Sequence, residues 1–267
     1  AFAEIEDAVL GVEHRLAPRR LVLGGLAKGL AVIETFTAAS PRQSIAEVAA
    51  ASSLDRATAR RCLLTLAHHG YADWDGKFFT LTPRVLRLGT ACLATMPLPQ
   101  IVQPLLDRLS EEIGESSSVS ILDGAEIVYV ARAAQQKVMS IALMPGSRLP
   151  AHCTSMGRVL LAALPEAEAR ALLGPGPLPA RTPRTLTDPE AVLAELARVR
   201  AQGHAVNDQE IEIGLRSIAV PVLNARGQVV AALNVGLSAA RAEAAELPAR
   251  FLPQLLRAQA ELRAMLR

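Results

Sequence analysis

Hydrophobic residues recur at helical spacing in the first third of the chain, most clearly in the segment that ends at Gly70. Ala59, Leu63 and Leu66 stand at i, i+4 and i+7, which places them on one side of an α-helix. Asp55 can accept a backbone N–H as the N-cap, and Gly70 can take the positive φ at which many helices end. The pattern therefore predicts a helix between Asp55 and Gly70.

The opposite side of this predicted helix is small near its start, then basic and hydroxylated, and it carries no acid. Its residues are Ala57, Thr58, Arg61, Thr65 and His68. Arginine can bond a guanine edge through two N–H groups, and threonine can meet a base edge or a thymine methyl, so such a face suits the major groove of DNA. A merely solvated basic face is the alternative explanation.

The segments on either side favour the DNA-binding interpretation. Ser44 and Glu47 have the spacing of a capping box, which opens a short helix ending near Ala51. A short turn then leads into the basic helix, so the pair predicts a helix-turn-helix whose second helix reads the groove. After the basic helix, Asp75-Gly76 separates two strand-like runs and predicts a hairpin, a wing with Lys77 near its tip.

Two further helices are predicted around this unit. One runs from about Gly25 to Phe36. Thr82-Pro83 has the residues of an N-cap and a first helical position, and begins a linker helix that reaches about Thr95. Pro97–Pro99 should break that helix, and we place the domain boundary there.

Beyond the prolines the hydrophobic period changes from helical to alternating. A helix from about Gln100 to Ile113 precedes strands predicted at Ser116–Leu122, Glu126–Ala133, Val138–Leu143, Ala205–Asp208, Leu215–Val222 and Gln228–Gly236. Further helices are predicted after a loop ending near Thr154, over Glu190–Gln202, and from about Pro248 to Arg267. Runs of strands between runs of helices predict an α+β domain with an antiparallel sheet, which commonly encloses a small-molecule pocket.

Charge is unevenly distributed between these two parts. The whole chain has a net charge of only +2, but residues 15–98 hold 11 Lys and Arg against 5 Asp and Glu, whereas residues 99–267 hold 17 of each. A basic front segment on a neutral body is expected of a protein that binds DNA through one domain.

Several classes of protein lack support in the sequence. Three widely spaced cysteines favour neither a disulfide framework nor a zinc site. No apolar run approaches the length of a membrane span, and the first twenty residues lack the pattern of a signal peptide, so we expect a cytoplasmic protein with no membrane partner. The common nucleotide-binding, hydrolase and metalloprotease motifs are missing. His152 and Cys153 are adjacent, and neighbours in an extended segment point to opposite faces, so they do not suit a Cys/His catalytic pair. We expect no enzymatic activity, no metal and no cofactor.

Several segments together resemble the IclR family of bacterial transcriptional regulators, and the likeness runs from about Leu21 to Arg263. They are Leu26–Ile33, Thr58–Leu66, Thr154–Arg158 and Gly214–Ala219. A second set resembles the Pca/Pob branch, whose members control protocatechuate, β-ketoadipate or 4-hydroxybenzoate catabolism: Arg61–Leu66, Leu81–Leu86, Leu122–Gly124, Tyr129–Arg132 and Thr154–Ala162.

The resemblance implies a winged helix-turn-helix and a GAF-like effector domain, in homodimers that can pair into tetramers on operator DNA. We expect a flexible leader over residues 1–20, the winged helix-turn-helix over 21–82, the linker helix over 83–98 and the effector domain over 99–267. The residues expected to contact DNA are Arg56, Ala57, Thr58, Arg60, Arg61, Thr65 and Lys77.

Effector contacts in the family correspond here to Ser155, Met156, Asp208, Ser217, Asn234 and Gly236. Short polar groups beside a helix start suit an anion, and Arg148 on the preceding loop adds a positive charge. We therefore expect a small carboxylate, an aromatic acid or its ring-cleavage product, with Asp208 contacting a ligand hydroxyl or a backbone N–H. The alternatives are a regulator of another small-acid pathway, a sensor that does not bind DNA, and polar residues that only satisfy strand ends.

Overall fold

The computed structural model describes residues 23–37, 39–95, 97–135 and 143–266. They form two compact units, with the division at residue 96. The expected leader lies outside the described residues, as does nearly all of the strand predicted at 138–143. None of the helices described has both the length and the apolar character needed to cross a membrane.

The first unit is a helix-turn-helix followed by a hairpin, as the sequence predicts. Its elements are α1 (Gly24–Glu34), β1 (Arg42–Ser44), α2 (Ile45–Ala51), α3 (Arg56–His68), β2 (Ala72–Trp74), β3 (Phe78–Leu81) and, after a 3₁₀ turn at Pro83–Val85, α4 (Leu86–Thr95). The strands form one antiparallel sheet in the order β1-β3-β2. The three-residue β1 was not predicted, because it is too short to show alternation.

Local capping explains where the two central helices begin. The Ser44 backbone N–H donates to Glu47 Oε2 at 2.7 Å while Glu47 N–H donates back to Ser44 Oγ, which completes the capping box. Asp55 Oδ1 accepts from the Thr58 backbone N–H at 2.8 Å. Buried side chains from both helices and from β3 then form the small core of this unit, with Val48, Leu63 and Phe79 fully enclosed.

The linker helix, expected within residues 83–98 with its end near Thr95, does end at Thr95, but the break expected over Pro97–Pro99 is wrong. The next helix, α5 (Pro97–Ile113), begins at the prolines expected to form a break. Pro97 and Pro99 lie in the first turn of α5, where a backbone N–H has no helical partner and the fixed φ of proline suits the helix.

The second unit is an antiparallel α+β fold, as predicted. After α5 its elements are β4 (Ser116–Asp123), β5 (Glu126–Ala133), β6 (Arg148–Pro150), α6 (Ser155–Ala163), α7 (Glu166–Leu173), α8 (Pro189–Gln202), β7 (Ala205–Asp208), β8 (Leu215–Leu223), β9 (Val229–Ser238) and α9 (Leu247–Met265). The six strands follow the order β6-β5-β4-β9-β8-β7, and every pair is antiparallel. The sequence missed α7, and it placed a loop at β6, a three-residue edge strand.

Helices cover both faces of this sheet. Alternate residues of β9 face opposite sides, so Leu233 and Val235 pack with α5 and α9, while Ala232 packs with α6 and α8. By the same alternation Asn234 and Gly236 face the α6 side. The sheet therefore presents polar groups beneath the N-terminus of α6.

Candidate DNA-reading face and effector pocket

The outer face of α3 presents three arginines to solvent. Arg56, Arg60 and Arg61 are exposed, as are Ala57 and Thr65 beside them. None of the three arginines forms an ion pair with an acid in the described chain. Cations without acidic partners remain available to bases and phosphates.

Thr58 requires a correction, because the structure buries it. Its exposed fraction is only 7%, and its backbone N–H is bonded to the N-cap carboxylate. Its Oγ1 accepts a hydrogen bond from Arg61 Nη2 at 3.3 Å, and Arg61 O in turn accepts from Thr65 Oγ1 at 2.8 Å. Thr58 therefore supports Arg61 from below the face on which the sequence placed it.

The wing carries a similarly available cation at its tip. Asp75 accepts backbone hydrogen bonds from Phe78 and Lys77 and pairs with Arg42 at 2.6 Å, and these contacts hold the pKa of Asp75 well below its usual range. Asp75, the acid near the tip, is paired with Arg42. The exposed Lys77 ammonium forms no ion pair within the described residues.

A pocket in the second unit lies between the sheet and the start of α6. Strand register brings two rows of polar residues to its floor, Arg132–Ser118–Asn234 across β5, β4 and β9, and Ser116–Gly236–Ser217–Asn207 across β4, β9, β8 and β7. Arg132, Asn234 and Ser217 all line the cavity, which has a volume of about 30 Å³. Apolar walls come from Tyr129, Leu143, Leu149, Ile211 and Leu215.

The N-terminus of α6 forms the opposite side of the pocket. Thr154 Oγ1 caps it by accepting from the Gly157 N–H at 3.1 Å, and Ser155 Oγ lies 2.8 Å from Ser217 Oγ on the sheet. A Cβ at Gly157 would lie 2.2 Å from Ala151 O, so this turn requires glycine. The close approach holds the hydroxyl of Ser155 against the pocket floor.

Two groups in this pocket have bonding capacity that the described residues do not fill. Arg132 donates from Nη1 to Ser118 Oγ at 3.0 Å, but it forms no ion pair with a described acid, and burial lowers its pKa. Asn234 is 8% exposed, and its buried Oδ1 has no hydrogen-bond partner in the described part of the chain. A half-buried cation without an acid and a buried amide oxygen without a donor are costly, and such groups commonly mark a site that a ligand completes.

Sequence reasoning missed Arg132 because of a bulge. Ala131 pairs with Val119 while Tyr129 pairs with the adjacent Ser120, so Val130 is an extra residue in β5. Strict alternation would place Arg132 and Tyr129 on opposite faces. The bulge shifts the period by one residue and turns both side chains into the pocket.

Five of the residues expected to contact the effector line the pocket, and two do not. Those in the lining are Ser155, Met156, Ser217, Asn234 and Gly236, whereas Arg148 and Asp208 lie outside it. Arg148 pairs with Asp123 at 2.6 Å and with Glu126 at 2.7 Å on the exposed end of the β4–β5 hairpin. The prediction that it adds charge to the pocket is wrong, because these acids already engage its guanidinium.

Asp208 faces away from the pocket, so its expected ligand contact is also wrong. Its neighbour Asn207 is paired with Ser217 and points inward, and alternation therefore turns Asp208 outward. Asp208 binds Arg216 at 2.6 Å and Arg184 at 2.7 Å. Burial opposes its charge, but these contacts lower its pKa overall.

The adjacent His152 and Cys153 show no reactive arrangement. Burial raises the pKa of Cys153 to about 12 and lowers the pKa of His152, whose Nε2 lies 3.2 Å from Pro179 O. A thiol with so high a pKa is a poor nucleophile. In the described part of the chain, no three His, Cys, Asp or Glu residues are grouped to hold a metal ion.

A winged helix-turn-helix together with a small-molecule pocket defines a ligand-responsive regulator that binds DNA. Residues 25–76 match the IclR helix-turn-helix domain, and residues 90–263 match the bacterial transcriptional regulator IclR C-terminal domain. The chain belongs to the IclR family of bacterial transcriptional regulators.

Similar proteins support the resemblance to the Pca/Pob branch. The Pca regulon regulatory protein of Pseudomonas putida is 49% identical over 238 residues, which are 89% of this chain and 82% of that protein. An IclR homologue from Microbacterium hydrocarbonoxydans, solved with 4-hydroxybenzoate, is 27% identical with a TM-score of 0.69, covering 90% of this chain and 100% of that one. A double mutant of the PobR inducer-binding domain from Acinetobacter was solved with 3-hydroxybenzoic acid. It is 36% identical with a TM-score of 0.56, and the match covers 62% of this chain and 97% of that one.

Proposed function

We propose that the effector of this regulator is a small aromatic monocarboxylate carrying a ring hydroxyl. The observation that carries the proposal is Arg132, a half-buried cation in the pocket without an acid partner among the described residues. Relatives that bind 4-hydroxybenzoate and 3-hydroxybenzoic acid support the same chemistry.

The floor of the pocket suits the two ends of such a ligand. A guanidinium pairs with a carboxylate through two parallel N–H bonds, and Arg132 has donors left after its bond to Ser118. Asn234 lies two strands away in the same row, about 10 Å along the sheet at the usual strand spacing. Its amide both accepts and donates, which fits a ring hydroxyl.

The charge of the lining favours one carboxylate over two. Arg132 is the only cation among the described residues that line the cavity, since Arg148 is paired with acids outside it. A ring-cleavage product with two carboxylates would leave one of them without a counter-charge. A hydroxybenzoate therefore fits better than β-ketoadipate.

The pocket is smaller than such a ring. A volume of about 30 Å³ corresponds to roughly two water-sized spheres. We therefore expect side chains of the lining to shift when a ring enters. A ligand that prefers the widened state changes the population of that state, which is how binding in this unit becomes a signal.

Operator binding is assigned to the exposed residues of α3 and to the wing. We place Arg61 and Thr65 against base edges and Lys77 against phosphate, in a cytoplasmic homodimer or dimer of dimers on a (pseudo)palindromic site. Exposed leucines support self-association of the first unit: Leu26 and Leu30 on α1, and Leu86 and Leu88 on α4.

Calorimetry on the full chain with 4-hydroxybenzoate, 3,4-dihydroxybenzoate and β-ketoadipate tests the effector. We expect either hydroxybenzoate to bind more tightly than β-ketoadipate. A gel shift with DNA upstream of neighbouring genes tests operator binding. Repeating it with the ligand that binds tests whether the ligand changes that binding. Tighter binding of β-ketoadipate would contradict the proposal that the effector is a monocarboxylate. Binding of none of the three would point to a regulator of another acid pathway.

A further inference from the structure

A buried ion pair lies directly behind the effector pocket. Arg158 on α6 meets Glu210, in the segment between β7 and β8, through two bonds, Nη1 to Oε1 and Nη2 to Oε2, each 2.7 Å long. The exposed fractions of the two side chains are 3% and 8%. Neither residue lines the pocket, so the pair does not contact an effector placed there.

Each partner lies close in the chain to a different part of the pocket lining, Arg158 to Ser155 and Glu210 to Ile211. Arg158 lies one helical turn after Ser155 and also donates from Nε to His152 O at 2.9 Å. Glu210 precedes Ile211, which lines the cavity, and its Oε2 accepts from the Leu186 backbone N–H at 3.0 Å. The pair therefore connects the Ser155 wall to the Ile211 wall.

Asn207 reinforces the same connection. Its Nδ2 donates to Cys153 O at 2.6 Å, and its Oδ1 accepts from the Glu210 backbone N–H at 3.3 Å. Gln209, between these residues, has φ = 62°, a left-handed conformation that is uncommon for a residue with a side chain. The segment before Ile211 is thus held in one particular shape rather than a relaxed one.

We propose that the Arg158–Glu210 pair is a positioning element that sets the separation of the Ser155 and Ile211 walls, and with it the ring substituents the pocket accepts. This inference rests on the proposed effector site. A fork of two parallel bonds fixes one distance and one orientation, which an apolar contact or a single ammonium does not. The pair therefore controls selectivity without touching the ligand.

The test compares Arg158→Lys and Glu210→Gln with Glu190→Gln as the matched control. Glu190 pairs with Arg170 on the protein surface, joining α7 to α8 away from the pocket. Two measurements are made on the full chain, hydrogen exchange of residues 151–158 and 209–215 without ligand, and the ratio of the Kd values for 4-hydroxybenzoate and 3,4-dihydroxybenzoate.

We expect Arg158→Lys and Glu210→Gln to exchange backbone hydrogens faster than the wild type in the two segments. We also expect each to change the Kd ratio by about tenfold, because small misplacements around a fitted ligand have large effects. The control should change neither quantity. Arg158→Lys keeps the buried charge balanced, so it remains informative if Glu210→Gln fails to fold.

Two results would separate this inference from the proposed function. Wild-type exchange and a wild-type Kd ratio in a folded Arg158→Lys variant would overturn the positioning role. If the wild-type protein binds neither hydroxybenzoate, the proposed effector fails, but faster exchange in both segments would still support the connection between the two walls. Unchanged exchange in that case would overturn it.

Discussion

Replacing Arg132 with Met removes the positive charge from the pocket while keeping most of the side-chain volume. In the free protein the guanidinium bonds only Ser118 among the described residues, so the substitution breaks one neutral acceptor contact and no ion pair. A hydrogen bond between charged groups is worth about 1.5–3 kcal/mol. Loss of the ligand carboxylate's partner should therefore weaken binding by roughly 10- to 150-fold.

The assay is calorimetric titration of the wild type and of Arg132→Met with 4-hydroxybenzoate and with its neutral amide. The two proteins should bind the amide with similar affinity, because it brings no charge to be compensated. Arg132→Lys serves as the matched control, since it keeps the charge but loses the two-pronged geometry, and its affinity should be intermediate.

The same substitution should not destabilise the free protein. Burial lowers the pKa of Arg132, which means that the charged form is disfavoured where it lies. Without ligand, the unfolding midpoint of Arg132→Met should equal or exceed that of the wild type. Unchanged affinity for 4-hydroxybenzoate in Arg132→Met would refute the placement of the carboxylate, whatever the stability.

Four further substitutions test the DNA-reading face, the wing, the pocket and the ion pairs of Asp208. Arg61→Ala should weaken specific operator binding by about 1–3 kcal/mol, whereas Lys77→Ala should weaken binding to all sequences and lower the salt slope by about one unit, as gel shifts over a salt series would show. Gly236→Ala should fold normally, because its Cβ meets no atom within 4 Å, yet calorimetry should show weaker binding because the methyl enters the pocket. The charged form of Asp208 should contribute stability that is present above its ordinary pKa of 3.8 and is lost as pH falls through its lowered pKa. The free energy of unfolding measured in urea should therefore fall less steeply at acid pH for Asp208→Asn than for the wild type.

The DNA-binding unit was largely predictable because its signals are local. Ser44, Glu47 and Asp55 determine where the helices begin, and Asp75-Gly76 determines the hairpin, all through contacts within a few residues. The prolines at the start of α5 misled the sequence reading, since the same residue both ends one helix and suits the first turn of the next.

The pocket residues were expected from the family resemblance rather than from alternation, and the structure agrees where alternation is regular. Ser217 and Asn234 follow the period of β8 and β9, and the structure places them on the pocket floor. Arg132 follows a bulge that no local pattern announces, and Asp208 is turned outward by a register that depends on the distant β8. Side chains whose direction is set by non-local pairing are beyond single-sequence reasoning.

Arg132 and Asn234 give a physical reason for the proposed response of the pocket to a ligand. Without effector, the second unit carries the cost of a half-buried cation and of the buried Asn234 oxygen, which has no partner among the described residues. In the proposed function, a hydroxylated carboxylate would supply an acid to Arg132 and a donor to Asn234, so its binding energy would add to the stability of the widened pocket. A cavity of about 30 Å³ has no room for a ring, so the proposal makes the widened pocket a minor state of the protein without ligand. An effector that lacks the carboxylate would open the same space without compensating the Arg132 charge, and it should therefore stabilise this state less than the acid does.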